Sequence, residues 1–123
     1  KSAALIVGGD QHFPSISQQG INDWKDAAYT LTVPALSNAY PRFFMPDSLD
    51  FYGNNNYKDG FGNKVSMLSY SNPVKKDSMP MWYEGAPGFG FIVCDKAAKT
   101  YSMRFMDFAN PSTFEYEQKI VLY

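Results

Sequence analysis

Cysteine, histidine and net charge are the three things this chain has least of, and each shortage excludes something. Cys94 is the only cysteine, so no internal disulfide framework can staple the fold. It lies in the apolar run FGFIVCD and reads as a buried, inert thiol. His12 is the only histidine, and no serine sits in a nucleophile-elbow context beside it. The net charge is -1, with thin basic clusters at Lys75-Lys76 and at Lys96 with Lys99. That balance provides no basic face for nucleic acid. No apolar run approaches the ~20 residues of a membrane helix. A signal-peptide pattern is also missing, so the chain reads as a mature or excised segment.

What is there is ordinary in size and rich in rings. The 123 residues fit one domain with a modest core. Aromatic residues make up 17%, mostly ten Phe and nine Tyr, a composition that favours strands and, when exposed, sugar or protein contacts.

The most informative stretch is Leu5 to His12, LIVGGDQH. A short apolar run is stopped by Gly8-Gly9, and Asp10 and His12 follow at once. A strand that ends in a glycine turn and presents a carboxylate and an imidazole at a sheet edge can build a metal or catalytic site. The same residues also suit a plain strand-turn with an Asp at its end. Residues 3–8 are apolar without alternation, so they are expected to form a central strand covered on both faces.

Further along, FPSISQQGINDWKD (Phe13 to Asp26) carries turn residues and no sustained period, with room for one helical turn at Ile21–Lys25. Ala27 to Val33 alternates and is expected to be a strand closed by Pro34. Leu36 to Asn63 reads as a long loop. Its aromatics (Tyr40, Phe43, Phe44, Phe51, Tyr52, Tyr57, Phe61) argue for order, folded over the sheet. DGFGNK lacks phosphate-cradle spacing and reads as a hairpin turn leading into a strand at Lys64 to Tyr70. Glu84 to Gly90 is read as a close backbone packing element. Phe89–Asp95 and Thr100–Phe108 are expected to form an antiparallel hairpin with Tyr101, Met103 and Phe105 on one face. Phe114 to Tyr123 completes a reading of five or six strands with little helix, a β-rich α+β class in a single domain.

Other candidate positions divide between chemistry and packing. Trp24 and Asp26 could line a pocket, though Trp24 packed on the sheet with Asp26 as a turn acceptor is the better reading. Arg42 could bind phosphate in bidentate fashion or stack on Phe43 or Tyr40, and Asn38 is a weaker pocket candidate. Asp23, Asp26, Asp47, Asp50 and Asp59 sit where Asp serves turns.

Three runs, GGDQHFPSISQQGINDWKDAAYTLTVPALSNAYPRFF, DGFGNKVSMLSYSNP and GAPGFGFIVCDKAAKTYSM, together resemble the C-terminal part of alkaline phosphatase D-like metallophosphoesterases, from about Val7 to Met106. The chain departs from the family at 45–58 and after Phe108. The resemblance implies a sheet-based portion of an αββα fold. In that family metal ligands lie at the carboxyl ends of strands, and Gly9-Asp10-Gln11-His12 matches the last ligand motif. His12 would then be a ligand, and Asp10 a ligand or the group that orients one. Carboxylate and imidazole suit iron, zinc, manganese or calcium. The family's DxH, GDxxD-like and GNH/D-type motifs are absent from these residues, and one His with one Asp falls short of the three protein ligands a catalytic ion typically has. The resemblance therefore implies a C-terminal piece of a phosphate-ester hydrolase, inactive and metal-free by itself. It further implies an extracytoplasmic location. A piece of a sheet would leave an edge exposed, through which it is expected to dimerise. Set against this is a non-catalytic β-rich domain that binds carbohydrate or protein through an aromatic strip at Tyr40, Phe43, Phe44, Tyr52 and Tyr57.

Overall fold

The structure, a computed structural model, describes residues 4–36, 44, 55–71, 87–107 and 116–121. They form eight strands: β1 (Leu5–Gln11), β2 (Ser15–Gly20), β3 (Tyr29–Pro34), β4 (Asn56–Lys58), β5 (Lys64–Tyr70), β6 (Gly88–Asp95), β7 (Thr100–Asp107) and β8 (Tyr116–Val121). That exceeds the five or six expected. No helix occurs among the described residues, and Ile21–Lys25 is a run of bends and turns. The β-rich class holds.

Two sheets carry these strands. The first has the order β1-β3-β2-β5-β4 and the second β6-β7-β8. In the first sheet β3 lies between β1 and β2, parallel to β1 and antiparallel to β2. The chain must therefore step over the end of β3 at His12, Phe13 and Pro14 to pass from one neighbour to the other. β5 is antiparallel to both β2 and β4.

Period-two patterning explains which face is buried. Tyr29, Leu31 and Val33 point to the inner face of β3, with Ile16 of β2 and Leu68 of β5. Opposite them stand Tyr101, Met103 and Phe105 of β7 and Ile120 of β8. The alternation expected of β7 is thus the core, and Met103 and Phe105 are fully buried. At about 1.5–3 kcal/mol for each large side chain so buried, this layer carries much of the fold's stabilisation.

The hairpin of β6 and β7 pairs without interruption from Gly88–Asp107 to Asp95–Thr100, with Lys96–Lys99 as its four-residue turn. Glycine at positions 88 and 90 has a steric cause. A Cβ at Gly90 would lie 2.1 Å from Val33 Cγ1, and one at Gly88 would lie 1.9 Å from the Met106 carbonyl oxygen. These two positions let β6 approach β3 closely, and the packing role expected for this segment holds for its described part.

Three expectations need correction. Among the described residues β1 lies at the edge of its sheet, not at its centre, and both Ile6 and Val7 are more than half exposed. Cys94 is exposed, because it lies on β6, the edge of the second sheet. Ser15–Gly20 is a strand despite its polar sequence. Its buried polar groups find partners: the Ser15 and Thr32 hydroxyls are 2.6 Å apart, and the Gln18 amide donates to the carbonyls of Lys25 and Ala27. Satisfied in this way, polar side chains can occupy positions that periodicity reserves for apolar ones.

Candidate functional site

The end of the first sheet where β1, β3 and β5 finish and β2 begins collects the residues singled out by sequence. Ser15 pairs with Thr32 on one side and Tyr70 on the other, and Gln11 pairs with Pro34. Asp10 and His12 therefore stand at the carboxyl end of the parallel pair β1–β3. Carboxyl ends of parallel strands are where ligand sites concentrate in open sheets, because chain segments diverge there and leave a crevice.

Four described non-glycine residues have positive φ, Asp10, Lys25, Asn55 and Lys99, and of these Asp10 alone lies within a strand. Between Gly8 and Gln11 β1 advances three residues while β3 advances two, from Thr32 to Pro34, so one extra residue is accommodated in a bulge. Asp10 takes it up with φ of 54°, in the left-handed region. Asp and Asn reach that region more readily than other side chains, at a cost of the order of 1 kcal/mol. The bulge is locked after the turn by the Ala35 amide, which donates to the Gln11 carbonyl at 3.1 Å. Asp10 is exposed and His12 half-buried. Bulges beside functional sites re-aim a side chain that regular pairing would have pointed elsewhere.

Next to the turn lies an aromatic cluster that the sequence did not identify as a unit. Phe44 is at its centre, with ring centroids 5.9 Å from Phe13, 5.3 Å from Tyr57 and 5.0 Å from Tyr70. All four rings are half-buried. Burial pushes the Tyr57 phenol up, and the Asp59 carboxylate adds to the effect. Ser71, which follows Tyr70, donates its amide to the Pro14 carbonyl at 3.3 Å. The β1–β2 crossing is thereby tied to the end of β5. Clusters of this kind have no one-dimensional signature, since Phe13, Phe44, Tyr57 and Tyr70 are far apart in the chain.

The remaining candidates separate cleanly. Asn38 and Arg42 lie outside the described residues, as do Tyr40, Phe43, Tyr52, Asp47 and Asp50. Asp26 is the turn acceptor expected of it, taking the amides of Ile21, Asn22 and Asp23. Trp24 is half-buried, with the Lys64 ammonium 5.9 Å from its ring centroid. Asp59 accepts the amides of Phe61 and Asn63 and the Asn63 side-chain amide, which together hold the β4–β5 turn. Those bonds keep its carboxyl below the ordinary Asp value. Gly62 closes the same turn at φ of 84°.

Among the described residues no three His, Cys, Asp or Glu side chains group closely enough to hold a metal ion. Asp10 and His12 offer one carboxylate and one imidazole, the former within the bulge. An ion held there would need further ligands from beyond this set. No helix among the described residues is long and apolar enough to cross a membrane. Comparison with protein-family models, curated proteins and solved structures finds no match to this chain.

Proposed function

We propose that this chain contributes the Asp10–His12 turn to the metal centre of a phosphoesterase whose other ligands lie in polypeptide outside residues 1–123. The observation that carries the reading is the bulge at the carboxyl end of β1, which adopts a costly backbone state at Asp10 two residues before the only histidine. Strained backbone of this kind is concentrated at functional sites. The ordered resemblance to alkaline phosphatase D-like enzymes supports the same reading.

In this proposal His12 is a metal ligand, and Asp10 is a second ligand or orients one. The metal, an iron, zinc, manganese or calcium ion, would supply Lewis-acid polarisation of a phosphate ester and an acidified water. What the chain itself does is hold the two side chains in place. The Ala35–Gln11 hydrogen bond fixes the turn to β3, and Phe13 anchors it among the aromatic rings. Arg42 and Asn38 are proposed to contact the phosphate ester. Phe44, two residues after Arg42, stacks on Phe13, the residue after His12. The activity is proposed to be extracytoplasmic and to belong to the complete polypeptide, with the 123 residues inactive alone.

The test is the complete polypeptide carrying His12→Ala. Its bound metal and its hydrolysis of an activated phosphodiester and phosphomonoester should both fall, the latter by at least about 100-fold. Full metal content with full hydrolysis would sink the proposal.

A second reading, a non-catalytic domain that binds carbohydrate or protein, draws on the Phe13, Phe44, Tyr57 and Tyr70 cluster. Only Phe44 and Tyr57 of the expected strip are described, and they are half-buried among other rings. Glycan-array binding by the 123-residue chain with no metal requirement would favour this reading over the first.

A further inference from the structure

Regular pairing around the Asp10–His12 turn stops at one residue of β3 on both sides. Thr32 is the register partner of Gly8 on β1, the last pair before the bulge, and of Ser15 on β2, the first pair after the crossing. Past Thr32, Gln11 pairs with Pro34 and accepts the Ala35 amide. His12, Phe13 and Pro14 must therefore carry the chain from one neighbour of β3 to the other, across two strand spacings or roughly 9.5 Å. The steps from Gln11 to Ser15 reach at most about 13–14 Å when fully extended, and the chain bends at His12 and Phe13 on the way. Little slack is left. Where Ser15 is anchored decides where His12 stands.

Period two puts Thr32 on the face of β3 away from Leu31, Val33 and the core layer. Its hydroxyl is used there. The Ser15 hydroxyl lies 2.6 Å from Thr32 Oγ1, and Thr32 Oγ1 donates to the Ser15 carbonyl at 3.2 Å. A threonine hydroxyl has one proton, so with that proton on the carbonyl, Ser15 Oγ is the donor in the shorter bond. The two residues grip each other through side chain and main chain. Ser15 is buried, and a buried hydroxyl without a partner carries a desolvation cost, so the pair resists a shift of β2 along β3. On the other side, Thr32 Cγ2 lies 3.8 Å from the point that a Cβ on Gly8 would occupy. One side chain thus reaches toward both strands that the turn connects.

We propose that Thr32 is a positioning residue for His12: its hydroxyl fixes Ser15 and, through the short crossing, sets the place of the imidazole. The inference rests on the reading of Asp10 and His12 as metal ligands, and it adds to them a residue that acts through another. Valine at position 32 would keep the shape and also favours a strand, yet it would release the Ser15 hydroxyl. Serine would keep the hydroxyl and lose only the methyl group. Strand integrity and ligand placement therefore respond to different substitutions. Thr30 supplies the comparison. It precedes Thr32 by two residues on the same face of β3, and it pairs with Ile6 and Ser17, away from the turn.

The experiment measures the zinc affinity of the complete polypeptide, by competition with a chromophoric chelator, alongside kcat and KM for an activated phosphodiester. Far-UV circular dichroism reports which variants stay folded. Thr32→Val should weaken zinc binding at least about tenfold, the usual scale for losing a group that orients a ligand, and should lower kcat with it. Thr32→Ser should retain the wild-type affinity, and Thr30→Val should leave it unchanged. Ser15→Ala removes the other hydroxyl of the pair. It should weaken binding in the same direction, and it decides the matter if Thr32→Val does not fold. His12→Ala separates the ligand reading from the positioning role. If it loses zinc while Thr32→Val and Ser15→Ala keep theirs, the positioning role alone is overturned. If His12→Ala keeps its zinc, the ligand reading falls and the positioning role falls with it. An equal loss in Thr32→Ser or Thr30→Val also overturns the role, because affinity would then follow general damage to β3.

Discussion

Phe44 lies on Phe13 with ring centroids 5.9 Å apart and planes inclined by 20°. This contact fixes a residue of the segment after β3 to the crossing between β1 and β2. Offset-stacked pairs of this kind contribute about 0.5–1.5 kcal/mol beyond the area they bury. Phe44→Leu keeps an apolar side chain but loses three ring contacts, and should cost about 1–2 kcal/mol in urea denaturation. An unchanged midpoint would show that the cluster does not anchor the turn.

Asp10 should display a trade between stability and function. Asp10→Gly relieves the left-handed backbone and should raise stability by up to about 1 kcal/mol. The same change removes a proposed ligand and should lower metal retention by the complete polypeptide. A variant that is destabilised in thermal unfolding, or keeps its metal, would contradict this assignment.

Two glycines should respond differently to the same substitution. Gly88→Ala drives a methyl group into the Met106 carbonyl, and overpacking against backbone should cost about 1–3 kcal/mol. Gly60→Ala meets nothing within 4 Å and should change stability by less than about 0.5 kcal/mol. Denaturant midpoints for the pair distinguish a close approach of β6 from a merely flexible segment.

Acid should loosen the β4–β5 turn through Asp59. Hydrogen bonds from Asn63, first from its side chain, lower the carboxyl's pKa in the folded state. A depressed folded value means that the stabilisation is complete above the unfolded value, near ~3.9, and is lost as pH falls through the folded one. A carboxyl titration followed by NMR should therefore have its midpoint below ~3.9. A midpoint at or above that value would refute the turn's hydrogen-bond pattern, and Asp59→Asn should abolish the local pH dependence.

Sequence revealed the parts of this fold that rest on strong periodicity. Tyr101, Met103 and Phe105 alternate because β7 has one face on the core, and the Lys96–Lys99 turn follows from the breaks around it. β2 was hidden because Ser15 and Gln18 are buried through hydrogen bonds that only the fold creates. β1 read as a covered central strand because an uncharged edge and an interior strand have the same composition. Cys94 misled for the same reason on β6. At the site, the juxtaposition of Asp10 and His12 was legible in GGDQH, whereas the bulge and the rings around Phe44 were not. Both depend on which strand β3 chooses as its neighbours.

The position of β3 between β1 and β2 also orders assembly in time. β2 and β3 are consecutive and antiparallel, joined through a loop closed by the Gln19–Ala28 and Ala27–Gln19 hydrogen bonds, so they can pair locally with little loop-closure entropy. β1 has no strand to join in this sheet until β3 is present. The turn that bears Asp10 and His12 consequently gains its β3 neighbour only after β3 is in place, and fraying from the β1 edge would dismantle it first.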